Sequence, residues 1–251
     1  RHQLISGWTC WPRWWTPPHR LILPKPCRAT RCKRWWTAAA PRRRCSWLTR
    51  RSQASSSLTW RASSSAGLRS GGTNASETVV VSGGGTIGLV SAAAAIGMGA
   101  NVIVVDPIQT RRDVALKLGA SEALDPSVAS ERIRELTQGR GADLVVEASG
   151  HAASLAAVFD YVGENGRMSM VGINIGRKVP VLIGQIQMKN LTVRGCIGSP
   201  GVWPAAIRFL ERTSIDLSPI QTHDYALTDA VAAFGFGQDP SKSIKITLLN
   251  G

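Results

Sequence analysis

Hydrophobic and polar positions take on a regular order in this chain only from about residue 77, where short apolar runs begin to alternate between the strand and helix periods. Residues 78–82 (TVVVS) form a β-branched run suited to a strand covered on both faces. A helix is predicted from about Thr86, and a second strand at 101–105. The alternation continues with a helix over 110–118 closed by Gly119, a short strand at 122–124, a helix over 130–137 and a buried strand at 143–147. A helix over 151–162, a strand at 167–171 ending at Gly172, a helical turn at 183–188, a strand at 191–197 and a helix over 202–211 complete the series. Strands separated so regularly by helices predict an α/β fold, a doubly wound parallel sheet with helices on both faces. Ligands in that arrangement sit at the carboxyl ends of the strands, where Gly83, Asp106, Ser149 and Gly172 all fall.

Between the first strand and the first helix lies Gly83-Gly84-Gly85-Thr86-Ile87-Gly88, with glycine at the first, third and sixth places. Each of the three has its own steric task. Gly83 permits the tight turn, Gly85 lets main chain approach a pyrophosphate, and Gly88 lets the helix lie close to the sheet. The helix opening at Thr86 and Ile87 turns its amides and the positive end of its dipole toward the phosphates. Asp106 arrives eighteen residues after Gly88, at the end of the second strand, placed to accept hydrogen bonds from the adenosine ribose. A carboxylate there repels a 2′-phosphate, so the expected cofactor is NAD rather than NADP. The apolar stretch 87–105 is broken by Gly88, Gly97, Gly99 and Asn101, which argues for a helix and a strand and against a membrane span.

Composition divides the 251-residue chain sharply. Residues 1–76 hold 15 Lys and Arg with no acid, and they contain eight of the nine Trp and four of the five Cys. The other 15 basic residues face all 16 acids in the rest, so the net charge of +14 belongs to the first segment. No sustained period runs through WPRWWTPPHR, RCKRWWTAAAPRRRC or SSSLTWRASSSAG, and the segment is expected to be largely disordered. Three origins compete: a nucleic-acid binder using Arg and Trp, a targeting peptide, and translation in a shifted frame with the true frame resuming near residue 77. The abrupt change in composition favours the third. Beginning with Arg1 rather than Met, the chain is expected to be processed or incomplete. Cys10, Cys27, Cys32 and Cys45 follow no zinc spacing, and no secretory signal argues for disulfides.

The segments TVVVSGGGTIGLVSAAAAIGMGANVIVVD, RRDVALKLGASEALDP, GADLVVEASG, GRMSMVGI and LTVRGCIGS together resemble the cofactor domain of zinc-dependent medium-chain alcohol and polyol dehydrogenases. The closing pattern IQTHDYALTDAVAAF and SIKITL is most similar to sorbitol-type and threonine-type members. The resemblance covers about residues 77–251. It implies a Rossmann NAD-binding domain over 77–218 and a remnant of the catalytic domain over 219–251. By the same resemblance Arg111 flanks the adenosine ribose, the backbone of Val171, Cys196 and Gly198 holds the nicotinamide carboxamide, and Lys245 lies near the pyrophosphate. The alternatives are a solvated helix-start cation, core and turn residues, and a solvated strand-end lysine.

In the family, zinc polarises the alcohol from which hydride leaves. This chain has no GHE-type motif, and His2, His19, His151 and His223 stand isolated. The expectation is therefore NAD binding without bound zinc and little or no alcohol oxidation. A zinc-free quinone-reductase-like oxidoreductase is the alternative, disfavoured by Asp106; nucleic-acid binding through residues 1–76 is the alternative of another class. The resemblance further implies a homodimer through the strand at 191–197, a cytoplasmic setting and an exposed apolar surface over 219–236 that favours aggregation. Reading the coding DNA of residues 1–76 in the other two frames is expected to give dehydrogenase-like sequence; its absence there would contradict the frame-shift origin.

Overall fold

Three consecutive valines give a strand no polar face, so it must lie where both faces of a sheet are covered. In the computed structural model, which describes residues 73–198 and 202–250, Thr78–Ser82 (β1) lies in the interior of a six-stranded sheet. The chain continues through α1 (Thr86–Gly97), β2 (Asn101–Val105), α2 (Gln109–Lys117), β3 (Glu122–Leu124), α3 (Pro126–Leu136), β4 (Ala142–Glu147), α4 (Ala152–Tyr161) and β5 (Val162–Met170). A short α5 (Gln185–Met188) leads to β6 (Thr192–Gly195), and α6 (Trp203–Thr213) follows. The strand order is β3-β2-β1-β4-β5-β6, and every pairing is parallel. The order reverses between β1 and β4, which opens a crevice at their carboxyl ends.

The period of two sorts the strand residues onto two cores. Val79, Val81, Val102, Val104, Leu144 and Val146 pack on one face with Leu89, Ala92 and Ala95 of α1. Val80, Ile103, Val105 and Val145 pack on the other with Ile133 of α3 and Val158 and Phe159 of α4. Val79, Val80 and Val81 are wholly buried, each contributing about 1.5–3 kcal/mol relative to exposure. Slipping β1 by one residue would exchange the two sets, so its register is strongly fixed.

Boundaries differ from the sequence expectation chiefly in four places. The helix expected over 130–137 begins at Pro126, because Asp125 caps it by accepting from the Ser127 amide at 3.0 Å and proline suits the first position. The strand expected at 167–171 starts at Val162, running straight from α4 with an irregularity opposite Ala142 and Leu144 and with Asn165 at φ +56°. The edge strand expected at 191–197 pairs only over Thr192–Gly195. The helix expected over 202–211 runs to Thr213 and is ended by Ser214 in the left-handed conformation.

A separate two-stranded parallel sheet joins β7 (Gln221–Ala226) to β8 (Lys245–Leu249) through α7 (Ala230–Phe236). On α7, Val231 and Phe234 are 88% and 74% exposed, in keeping with the apolar surface expected there. Among the described residues, no helix is long and apolar enough to cross a membrane. The disorder expected of the basic segment, and its four cysteines, fall outside the described residues.

The helix α1 meets β1 at bare main chain. A Cβ on Gly88 would fall 1.7 Å from the Gly83 carbonyl oxygen, a distance no local adjustment of a flexible side chain can relieve. Gly88→Ala is accordingly expected to lower unfolding free energy by on the order of 3 kcal/mol, read as a drop in urea midpoint; an unchanged midpoint would contradict this packing.

Candidate dinucleotide site

The site is built where the strands of the reversed order end. Gly83 leaves β1 at φ +108°, donates its amide to the Val105 carbonyl at 2.8 Å, and lies so close to the β4 turn that a Cβ would fall 2.9 Å from Ser149. Gly85 is the opposite case. It caps α1 without any side-chain hydrogen bond, and nothing lies within 4 Å of where its Cβ would be. Gly83, Gly84 and Gly88 are therefore enclosed by protein while the glycine at the helix mouth faces open space. An anion can approach the amino end of α1 there, with no acidic residue in its first turn to repel it.

Asp106 follows β2 and is only 3% exposed. Its Oδ2 accepts the Gly84 amide at 2.6 Å and its Oδ1 accepts the Ile108 amide at 2.8 Å. The carboxyl group thus clamps the glycine turn to the end of β2, a role the sequence reading did not give it. Arg111 lies beside it, Nη1 to Oδ2 at 3.6 Å, while its Nη2 donates to the Pro240 carbonyl at 2.9 Å. The Nε of Arg111 is buried without a hydrogen-bond partner. Arg112, not singled out from the sequence, donates to the Asp106 carbonyl at 2.7 Å and to Asp125 at 3.0 Å, joining the ends of β2 and β3.

At the carboxyl end of β4 the organising group is Glu147, also missed in the sequence reading. Its Oε1 accepts from the Ser149 amide (3.0 Å), the Ser149 hydroxyl (2.6 Å), the Gly150 amide (3.1 Å) and the Ser154 hydroxyl (2.8 Å). The Ser149 hydroxyl is therefore turned into the protein. The Glu147 carbonyl accepts the amides of Val171 and Gly172, both at 2.8 Å. The signal was available in ADLVVEASG: an acid ending an apolar strand is buried, and a buried carboxyl group needs donors such as the serines and glycine that follow.

The remaining expected positions divide between the two ends of the crevice. Val171 is buried, and Cys196 packs against the same core while donating its amide to the Met170 carbonyl at 2.8 Å. Burial pushes the Cys196 thiol above its usual range. Gly198 lies beyond β6 at φ +64°. On the other side the Thr86 hydroxyl donates to the Ile244 carbonyl at 2.8 Å, which brings the start of β8 and hence Lys245 to the mouth of α1. Lys245 is half-buried, and burial lowers the pKa of its ammonium group.

The described residues do not fit a zinc ion. Among them no three His, Cys, Asp or Glu side chains converge. His151 caps α4 by accepting the Ala153 amide at 3.3 Å, and His223 packs on Phe236 with ring centroids 4.7 Å apart.

The comparisons agree with this geometry. A family profile described as zinc-binding dehydrogenase matches residues 86–212. The D-xylulose reductase of Morganella morganii is 29% identical over 164 residues, covering 64% of this chain and 48% of that protein. The L-threonine 3-dehydrogenase of Colwellia psychrerythraea is 31% identical over 163 residues, covering 63% and 47%. An alcohol dehydrogenase structure from Thermotoga maritima superposes with a TM-score of 0.71 at 26% identity, covering 77% of this chain and 55% of that one. The chain spans about half the length of the curated relatives it matches. By the profile match, the shared dehydrogenase relatives and the doubly wound Rossmann sheet, this chain belongs to the zinc-binding dehydrogenase family.

Proposed function

We propose that the chain is the NAD-binding part of an alcohol or polyol dehydrogenase, with the nucleotide laid across the carboxyl ends of β2, β1, β4 and β5. The observation that carries this reading is the open side of Gly85 at an α1 mouth whose neighbouring glycines are filled by protein. The pyrophosphate rests there on main-chain amides, with Lys245 beside it as a counter-charge. The adenosine ribose lies against Asp106, whose oxygens retain lone pairs beyond those used by Gly84 and Ile108. Arg111 flanks the same ribose, and the Asp106 carboxylate repels a 2′-phosphate, which favours NAD over NADP.

The nicotinamide then falls on the far side of the glycine turn, over Ser149, Val171, Gly172, Cys196 and Gly198. The Val171 and Cys196 amides are engaged by Glu147 and Met170, so a carboxamide is held there through carbonyl oxygens and the backbone at Gly198. Hydride exchange between NAD and a secondary alcohol is the reaction of the intact assembly. Among the described residues no three His, Cys, Asp or Glu side chains converge to hold a metal, so the part of that chemistry we assign to them is the cofactor half. The proposed setting is the cytoplasm, with two copies pairing along β6, whose four residues are all exposed at the edge of the sheet.

Calorimetric titration of the chain with NADH is expected to show one saturable site, at least about tenfold weaker for NADPH. Gly85→Ala, whose Cβ meets no protein atom, is expected to weaken NADH by about tenfold or more with stability within ~1 kcal/mol of the parent; unaltered affinity would place the phosphates elsewhere. Mixed with NAD, zinc and a panel of polyols, the chain is expected to form no NADH. Steady NADH production would contradict the division of labour proposed.

A further inference from the structure

We infer that Glu147 is a positioning residue for the nicotinamide half of the bound dinucleotide, an inference that rests on the dinucleotide reading above. Its carboxyl group is fully buried, and among the described residues no ion pair reaches it. Instead it gathers the donors of one turn, residues 149 and 150, together with Ser154 on α4. Ser154 in turn exchanges a 2.8 Å hydrogen bond with Ser82 at the end of β1. Through its main-chain oxygen the same residue holds the start of the loop after β5. One side chain and one carbonyl thus fix the ends of three adjacent strands, β1, β4 and β5.

Those ends are the floor of the crevice on the side away from Asp106. With the adenosine ribose at β2 and the pyrophosphate at the β1 turn, a dinucleotide has only the β4 and β5 side left for its second nucleoside. The floor is also tightly set. A Cβ on Gly172 would fall 2.4 Å from Oε2 of Glu147 and 2.2 Å from the Gly150 amide, and one on Gly150 would fall 2.5 Å from the Ile173 carbonyl. Gly150 itself stands at φ +67°. Main chain meets main chain here as it does at Gly83 and Gly88, but a carboxyl group rather than close packing alone fixes the angle. Loosening it would tilt the surface under the nicotinamide and leave the adenosine end untouched.

ADP-ribose, which carries the adenosine and pyrophosphate without the nicotinamide, separates the two ends. The full chain and its Glu147→Gln variant are titrated with ADP-ribose and with NADH. In the variant an amide NH₂ replaces one acceptor oxygen beside the Gly150 amide. NADH is expected to weaken by about tenfold while ADP-ribose stays within about twofold, and the fluorescence of bound NADH loses its shift relative to the parent complex. Ser154→Ala, which removes a single donor and keeps the acceptor, is expected to weaken NADH by about threefold with ADP-ribose unchanged, and it decides the matter should Glu147→Gln fail to fold. Equal loss for both ligands, no loss for either, or a parent chain that binds NADH no better than ADP-ribose would overturn the positioning role while leaving the dinucleotide reading standing. A folded parent that binds neither ligand would overturn both.

Discussion

Everything at the crevice depends on main chain approaching main chain at the first turn. Gly88 lies against the Gly83 carbonyl with no room for a side chain, and a Cβ on Gly83 would in turn fall 2.9 Å from Ser149 of the β4 turn. That contact brings α1 down onto β1, aims its amino end along the sheet's carboxyl edge, and leaves Gly85 as the one glycine of the motif facing outward. Close packing of this kind cannot be softened by rotamer changes, since the contacting atoms are backbone. Asp106 adds the lateral restraint by holding Gly84 to β2. A residue read from the sequence as a ligand group is thus also part of the frame that shapes the ligand's seat.

The same architecture explains which features could be read from the chain. Strands covered on both faces, β1 and β2, announce themselves as unbroken valine and isoleucine runs, and their limits match the expectation. The glycine spacing and the timing of Asp106 are equally legible because each follows from a local steric or electrostatic demand. Misplaced boundaries occur where a local signal was subtle or overridden. The Asp125-Pro126 pair starts α3 four residues earlier than the apolar pattern implied. Val162, expected to end a helix, and 163–166, expected to lie between elements, are drawn into β5 by sheet pairing despite Asn165. Glu147 escaped notice because an acid inside an apolar strand makes sense only once its donors are known, and those come from a turn and from the next helix.

The segment after α6 forms a small unit outside the six-stranded sheet. The β7–α7–β8 unit folds as a right-sized parallel pair with its connecting helix, yet leaves Val231 and Phe234 in solvent. Among the hydrogen bonds that tie it back to the crevice are those from Thr86 to the Ile244 carbonyl and from Arg111 to the Pro240 carbonyl. Both donors belong to residues of the candidate site. The same ties that bring Lys245 to the mouth of α1 therefore make the C-terminal unit part of the rim of the crevice.

The central claim, that the turn between β1 and α1 receives the pyrophosphate, is tested most directly by hydrogen exchange at the amides of residues 83–88, measured with and without saturating NADH. The account predicts marked slowing at the mouth of α1 on adding NADH, with little change at the distant amides of β3. Exchange at residues 83–88 unaffected by bound NADH would contradict it.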